Sequence, residues 1–166
     1  MSIWDQFPNY STDELNLLTA VAAETLADSA GSQIGADVLR ISPMAAAREL
    51  EPILREQNPN VNREAIQEIL EDRDQGSKIA LRVLDEIRQT PALAEKVAEE
   101  YENRRHAMAV PLLLLLVAPV VILAMRVKSF RVKVGKNEAS GTFEKSGEEV
   151  KTFVSGLVSS ATGLVP

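Results

Sequence analysis

Cysteine is absent from this chain of 166 residues, and histidine occurs only once, at position 106. The lack of cysteine excludes disulfide frameworks, zinc–thiolate sites and thiol nucleophiles. A single histidine excludes multi-histidine metal centres and leaves a Ser-His-Asp triad with only one candidate base. The phosphate-binding glycine motifs, the serine-hydrolase elbow and the zinc-protease motif are also missing. The sequence therefore predicts no enzymatic activity, no catalytic residue, no metal site and no cofactor.

Basic residues are outnumbered by acidic residues. The chain has 18 Lys and Arg against 24 Asp and Glu, a net charge of −6. This balance argues against nucleic acid as the main partner, because binding to phosphates requires a surplus of basic side chains. The charge is also unevenly spread: residues 1–105 hold 11 basic and 20 acidic residues, a net of −9, and residues 126–166 hold 7 and 4, a net of +3. The overall net charge thus conceals an acidic first part and a basic last part.

A long apolar stretch, residues 107–125, separates these two parts. None of its 19 residues is charged. As a helix this length spans roughly 28 Å, close to the hydrocarbon thickness of a bilayer. The stretch therefore predicts a transmembrane helix; a helix buried in the core of a soluble oligomer is the alternative, although such a helix is seldom apolar on every face. The span residues singled out are Ala107, Pro111, Leu114, Pro119 and Met125.

Basic side chains flank the apolar stretch on both sides, where they would reach toward lipid head groups. This predicted collar consists of Arg104, Arg105, His106, Arg126 and Lys128. The lipid bilayer is therefore a predicted partner, and a single-pass membrane localisation is predicted. Five basic groups in the 15 residues after the span, against three before it, favour a cytoplasmic tail. The acidic head has no signal peptide, which favours a cytoplasmic head. A shallow hairpin around Pro119 is a further alternative, and it would keep the head and the tail on the same side of the membrane.

The first 105 residues predict a bundle of about five short helices. Ser11 and Glu14 form a capping box, in which each side chain satisfies a backbone N–H of the other residue. Further N-caps are predicted at Ser42, Asn62 and Thr90. Pro52 and the stretch 75–77, which contains a glycine, are predicted to interrupt helices.

Aromatic residues are few, at 4% of the chain, and three of them precede the first long helix. Trp4, Phe7 and Tyr10 are predicted to pack in the core, because large apolar rings gain most from burial. An exposed docking peptide is the alternative interpretation of this segment.

The tail, residues 126–166, changes its hydrophobic period part-way along. Apolar and charged residues alternate over 130–134, which predicts a strand, and residues 135–141 supply turn residues before a second strand. A helical stripe of apolar residues follows. Such a ββα unit is too small to be stable alone and should dock on its own head, a neighbouring copy, a partner's sheet edge or the membrane surface. The residues expected to make this contact are Phe130, Val132, Val134, Phe153 and Leu157.

The predicted fold class is mostly α: an N-terminal helical bundle, one transmembrane helix and a small C-terminal ββα unit. The corresponding domains are residues 1–105, an acidic adaptor or sensor domain, residues 107–125, the span, and residues 126–166, the basic tail. The predicted function is that of a single-span, membrane-tethered interaction protein. It would contact copies of itself or a partner protein through head and tail.

The layout resembles that of small effectors of bacterial defence or cell-death systems, which combine a sensor or adaptor domain with one span. The resemblance implies self-assembly and disruption of a membrane, with a pore formed by several copies, since one apolar helix cannot line a water-filled channel. An accessory subunit of a larger membrane complex, with no activity of its own, is the alternative.

Overall fold

The computed structural model describes residues 2–30, 37–105 and 117–162. This part of the chain is mostly helical and contains one two-stranded sheet. The helices discussed below are α1 (Ile3–Gln6), α2 (Thr12–Ala30), α3 (Pro43–Arg55), α4 (Arg63–Glu71), α5 (Arg73–Arg88), α6 (Pro91–Arg105), α7 (Val117–Arg126) and α8 (Glu144–Thr162). The strands are β1 (Ser129–Val134) and β2 (Asn137–Thr142).

Side-chain caps begin several helices where the sequence predicts them. The Ser11 N–H donates to Glu14 Oε2 at 2.9 Å, and the Glu14 N–H donates to Ser11 Oγ at 3.3 Å. Ser42 Oγ and Asn62 Oδ1 each accept from the N–H three residues further on, at 3.1 Å and 2.8 Å. These bonds satisfy N–H groups that have no partner within the helix. The capping box and two of the N-caps are therefore confirmed.

Two other predictions about helix boundaries are wrong. α3 continues through Pro52, whose ring lies on the exposed side. The break between α4 and α5 falls at Asp72, which accepts from the Gln75 N–H at 2.9 Å, so that Gly76 lies inside α5. The predicted helix start at Thr90–Pro91 is correct, since α6 begins at Pro91 and the Thr90 carbonyl accepts from the Ala94 N–H at 2.9 Å. The Thr90 hydroxyl donates to the Glu86 carbonyl of the preceding helix at 3.2 Å. Aspartate caps a helix as well as serine does, which explains the shifted break.

The described part of the apolar stretch forms α7, which lies in the centre of the protein. Residues 117–124 are all buried, and α7 packs against α2, α3, α5 and α8. Its 10 residues extend over about 15 Å, roughly half the hydrocarbon thickness of a bilayer. Among the residues described, no helix combines the length and the apolar character that crossing a bilayer requires.

The prediction of a transmembrane helix over 107–125 is therefore wrong, and with it the predictions of a single-pass membrane localisation and of a pore. Pro119 and Met125 lie in α7, buried and half-buried, against protein side chains instead of lipid. A helix enclosed on all sides by other helices has the same all-round apolar surface as one enclosed by lipid, so the pattern alone did not separate them. Ala107, Pro111 and Leu114 lie outside the described residues.

The tail forms a strand–strand–helix unit, as predicted, and docks on the head of its own chain. The second strand, however, lies at Asn137–Thr142, within the stretch 135–141 that was predicted to form the turn. β1 and β2 pair antiparallel, with Phe130 opposite Gly141 and Val134 opposite Asn137. Gly135 opens the two-residue turn with a φ of +61°, which a type II′ hairpin turn requires at this position. β1 packs on α2 and α6, and α8 packs on α3, α4, α5 and α7. One hydrophobic core therefore includes residues from all three predicted segments.

Candidate interaction surface

The N-terminal aromatic residues attach the start of the chain to its own bundle. The Trp4 indole N–H donates to the Ala94 carbonyl at 3.0 Å inside the protein. Phe7 lies 5.7 Å beneath the Arg88 guanidinium, and Tyr10 stacks on Tyr101 at 5.8 Å. The predicted core packing of this segment is confirmed, since Trp4 and Phe7 are both buried.

The stacked tyrosines, Tyr10 and Tyr101, are the only two in the chain, which makes their titration directly observable. Burial raises the pKa of both phenols above the ordinary value of 10.0. A raised pKa means that the folded state holds the proton more tightly, so this contribution to stability is full below about pH 10 and is lost as the pH rises through the folded-state values. We expect phenolate absorbance in the folded protein to appear later than in the denatured protein, together with loss of helical circular dichroism. Titration of both tyrosines near pH 10 with unchanged helicity would contradict this expectation, and Y10F isolates the Tyr101 phenol.

Polar contacts between α8 and the turn after α3 hold the tail on the head. Lys151 Nζ lies 2.9 Å from Glu56 Oε2, and this hydrogen bond raises the pKa of Lys151. The Gln57 amide donates to Thr152 Oγ1 at 3.2 Å, one residue further along both segments. These two contacts fix the register of α8 against the head.

A second junction lies where α5 meets α8. Arg82 Nη2 lies 2.9 Å from the buried Glu86 carboxylate and 3.5 Å from Glu149, which belongs to α8. Its guanidinium also stands 5.9 Å above the Phe153 ring. Phe153, predicted as a tail interaction residue, therefore contacts the chain's own head, and Leu157 is half-buried on the same helix.

The predicted membrane collar forms ion pairs with carboxylates of the head. Arg104 pairs with Glu24, Arg105 with Glu102 at 3.5 Å, and Arg126 with Glu49 at 2.6 Å. All six side chains are more than a third exposed, so each pair contributes only about 0–1 kcal/mol. Lys128 is exposed, and His106 lies outside the described residues.

Arg126 and Glu49 also border a shallow cleft at the start of α3. The cleft encloses about 400 Å³, and its lining residues are Asp37, Val38, Ile41, Ala45, Glu49 and Arg126. Its charged groups are two carboxylates and one guanidinium, two of which already pair with each other. Within the described ranges, no three His, Asp or Glu side chains converge as a metal site would require.

The hairpin of β1 and β2 carries the most concentrated positive charge. Residues 128–142 hold four basic side chains and one acidic one, a net of +3. Arg131 pairs with Glu138 at 3.0 Å across the two strands. Lys128, Lys133 and Lys136 are exposed, and the described residues offer none of them an ion-pair partner. We call residues 128–142 the basic hairpin.

A surface of opposite sign lies on α4 and the start of α5. Residues 64–74 contain five carboxylates and Arg73, a net of −4. All five carboxylates are exposed, and none forms an ion pair with a described residue; they are Glu64, Glu68, Glu71, Asp72 and Asp74. The first three are spaced four and three residues apart and so share one helix face. We call residues 64–74 the acidic strip.

The acidic strip and the basic hairpin lie on different groups of elements. The hairpin packs mainly on α2 and α6, whereas α4 packs on α3, α5 and α8. Lys133, Lys136 and the acidic strip were not among the predicted site residues. The sequence does show carboxylates at helical spacing in the acidic strip and lysines at strand spacing in the basic hairpin. The net charge of whole segments does not reveal these two local surfaces.

No family model matches the chain, and no curated protein or solved structure matches it either. What the chain does is therefore inferred from its own surface.

Proposed function

We propose that this chain is a non-catalytic interaction protein whose working form is a head-to-tail assembly of its own copies. The observation that supports this most directly is the segregation of unpaired charge into the acidic strip and the basic hairpin. Since the two surfaces lie on separate groups of elements, the hairpin of one copy would meet the strip of the next. Each copy offers both halves of the contact, so the contact repeats from copy to copy.

A contact between two different surfaces of identical chains is heterologous, and it generates a ring if the rotation closes and a filament if it does not. Charge complementarity of this kind mainly increases association rate and specificity. Because both surfaces are exposed, salt at about 0.15 M screens their attraction beyond about 8 Å. The assembly should therefore form at low ionic strength and dissociate as salt rises.

Reversing the hairpin charge tests the proposal. In the variant K128E/K133E/K136E, two negative surfaces replace a complementary pair, and we expect a monomer under conditions in which the native chain assembles. Sedimentation velocity at low and high salt measures the change. The matched control is R40E/R48E/K78E, which makes the same change in net charge at three exposed basic residues that also lack ion-pair partners among the described residues. This control should assemble like the native chain.

Reversing the strip supplies the complementary test. The variant E64K/E68K/E71K should also be monomeric alone, because its strip and hairpin are both positive. An equimolar mixture of the two reversed variants should recover assembly, since each now offers a surface that fits the other. A native chain that remains monomeric at every salt concentration, or a mixture that does not recover assembly, would refute the head-to-tail contact. Partner binding as an accessory subunit would then be the remaining alternative.

A further inference from the structure

The outer edge of β2 presents backbone groups that no described residue bonds to. The Phe143 N–H donates to the Lys128 carbonyl at 2.7 Å, so these two residues form a hydrogen-bonded pair next to the strands. Hydrogen-bonded and non-hydrogen-bonded pairs alternate in an antiparallel ladder. The N–H and C=O groups of Glu138, Ser140 and Thr142 therefore point away from β1. All three residues are exposed, which leaves this edge accessible to a further strand.

The helices of the protein lie mainly beneath β1. α2 packs on β1, and α6 packs more on β1 than on β2. On the face of β2 that is turned toward the helices, Ala139 and Gly141 are only half-buried and Asn137 is exposed. β2 contains no proline or lysine and pairs with β1 residue for residue, so it lacks the features that usually block strand addition. β2 is therefore the outer margin of the protein on this side.

Charge restricts which strand fits this edge. Glu138 is the only charged residue of β2, and its carboxylate is exposed. A strand that placed a carboxylate opposite Glu138 would be repelled, whereas a hydroxyl can donate to it. β2 itself supplies such a strand, because two antiparallel copies with Ser140 opposite Ser140 place Glu138 of each opposite Thr142 of the other. In this register all the outward residues form hydrogen-bonded pairs.

The same register keeps like charges apart. The two Glu138 residues are four positions apart along adjacent strands, about 13 Å, and the two Arg131 residues are three strand spacings apart, about 14 Å. Both separations exceed the screening length of about 8 Å at about 0.15 M salt. The β1 edge differs, since its outward residues are Ser129, Arg131 and Lys133. The equivalent pairing of two β1 edges would place Arg131 opposite Arg131 at about 5 Å, so self-pairing suits β2 alone.

We propose that two copies of this chain pair through their β2 edges about a two-fold axis at Ser140, which joins the two hairpins into one four-stranded sheet. The contact is isologous and closes at two copies. It goes beyond the proposed head-to-tail assembly, because it uses backbone groups of the hairpin edge instead of charged side chains. The edge buries little apolar surface, so the dimer is weak and forms at higher protein concentration than the head-to-tail contact requires.

Cysteine cross-linking tests the pairing, and it captures a weak dimer because the disulfide makes the contact covalent. The native chain has no cysteine, so one introduced thiol gives an unambiguous product. The Cα atoms of a hydrogen-bonded pair lie about 5.5 Å apart, within the range that a disulfide bridges. With diamide as the oxidant, we expect S140C to form a covalent dimer at least about tenfold faster than S129C. Ser129 is the matched control, since it is also exposed but lies on β1.

A pair of further variants tests the register. E138C and T142C should each cross-link slowly alone, because like residues lie about 13 Å apart across the axis. An equimolar mixture of the two should cross-link as fast as S140C. Cross-linking of an S140C and R131C mixture in place of S140C alone would mean that β2 binds the β1 edge of the next copy, which contradicts the proposal.

The cross-linking is carried out at high salt with each cysteine placed in the variant E64K/E68K/E71K, in which the head-to-tail contact is absent. A positive result therefore reports the edge contact alone, and failure of one contact is distinguished from failure of the other. Circular dichroism checks that each variant keeps its helices. If S140C reacts no faster than S129C, or if E138C alone reacts as fast as its mixture with T142C, the proposed pairing is wrong.

Discussion

Replacing Leu123 by alanine is expected to lower the free energy of unfolding by about 3 kcal/mol, within the range of about 2–5 kcal/mol for a buried leucine. Leu123 lies in α7 and is 0% exposed. The substitution removes three carbon atoms from the place where α7 meets its neighbouring helices, and the backbone around it cannot collapse fully into the space. In a protein of this size the loss corresponds to a fall in Tm of about 6–12 °C.

Urea denaturation followed by circular dichroism, without detergent, measures this effect. Leu123→Met keeps most of the volume and should cost less than about 1.5 kcal/mol. Met44→Ala removes a side chain that is 54% exposed and should leave stability nearly unchanged. If L123A were as stable as M44A, α7 would not be part of the protein core, and the central position assigned to it would be wrong.

Replacing Gly147 by alanine is expected to destabilise the chain by about 2–3 kcal/mol, although alanine is the better helix former. A Cβ at this position would lie 2.6 Å from the backbone oxygen of Ala124 and 3.7 Å from the Cα of Met125. The obstacle is backbone, which cannot rotate away as a side chain can. The first turn of α8 would have to move away from α7.

Gly156 provides the matched control, because it lies in the same helix and a Cβ added there would meet no described atom within 4 Å. Gly156→Ala should therefore stabilise the protein by about 0.5–1 kcal/mol, through the helix propensity of alanine alone. Thermal denaturation of the two variants should show shifts of opposite sign. Shifts of the same sign would mean that the close approach of α8 to α7 does not restrict residue 147.

The features that the sequence predicted correctly are those determined by near neighbours. Ser11, Ser42 and Asn62 cap helices because each side chain reaches an N–H three residues away. β1 follows from alternation over a few residues, whereas β2 occupies residues that were predicted to form the turn. Such signals lie within one short window and need no knowledge of the rest of the fold.

The features that the sequence did not predict depend on distant contacts. α7 is apolar on every face, and four helices surround it in the fold. None of these four helices is the element directly before or after α7 in the described chain, so a short window of sequence does not reveal them. Gly76 resembled a helix break, but it lies inside α5, where a Cβ would approach Val117 Cγ2 to 3.2 Å. The charged surfaces were missed for a related reason, since net charge per segment does not say which side chains remain unpaired after folding.

The position of α7 in the chain has a consequence for the order in which the protein forms. α2 comes early in the sequence, yet its main packing partners include α7 and β1, which follow about ninety residues later. During synthesis at about 5–20 residues per second, α2 would emerge roughly 5–20 s before these partners. During that interval α7 is not yet available to bury the apolar face of α2, which includes Leu18, Ala22 and Leu26. We expect a nascent chain in this state to bind chaperones that shield exposed hydrophobic segments.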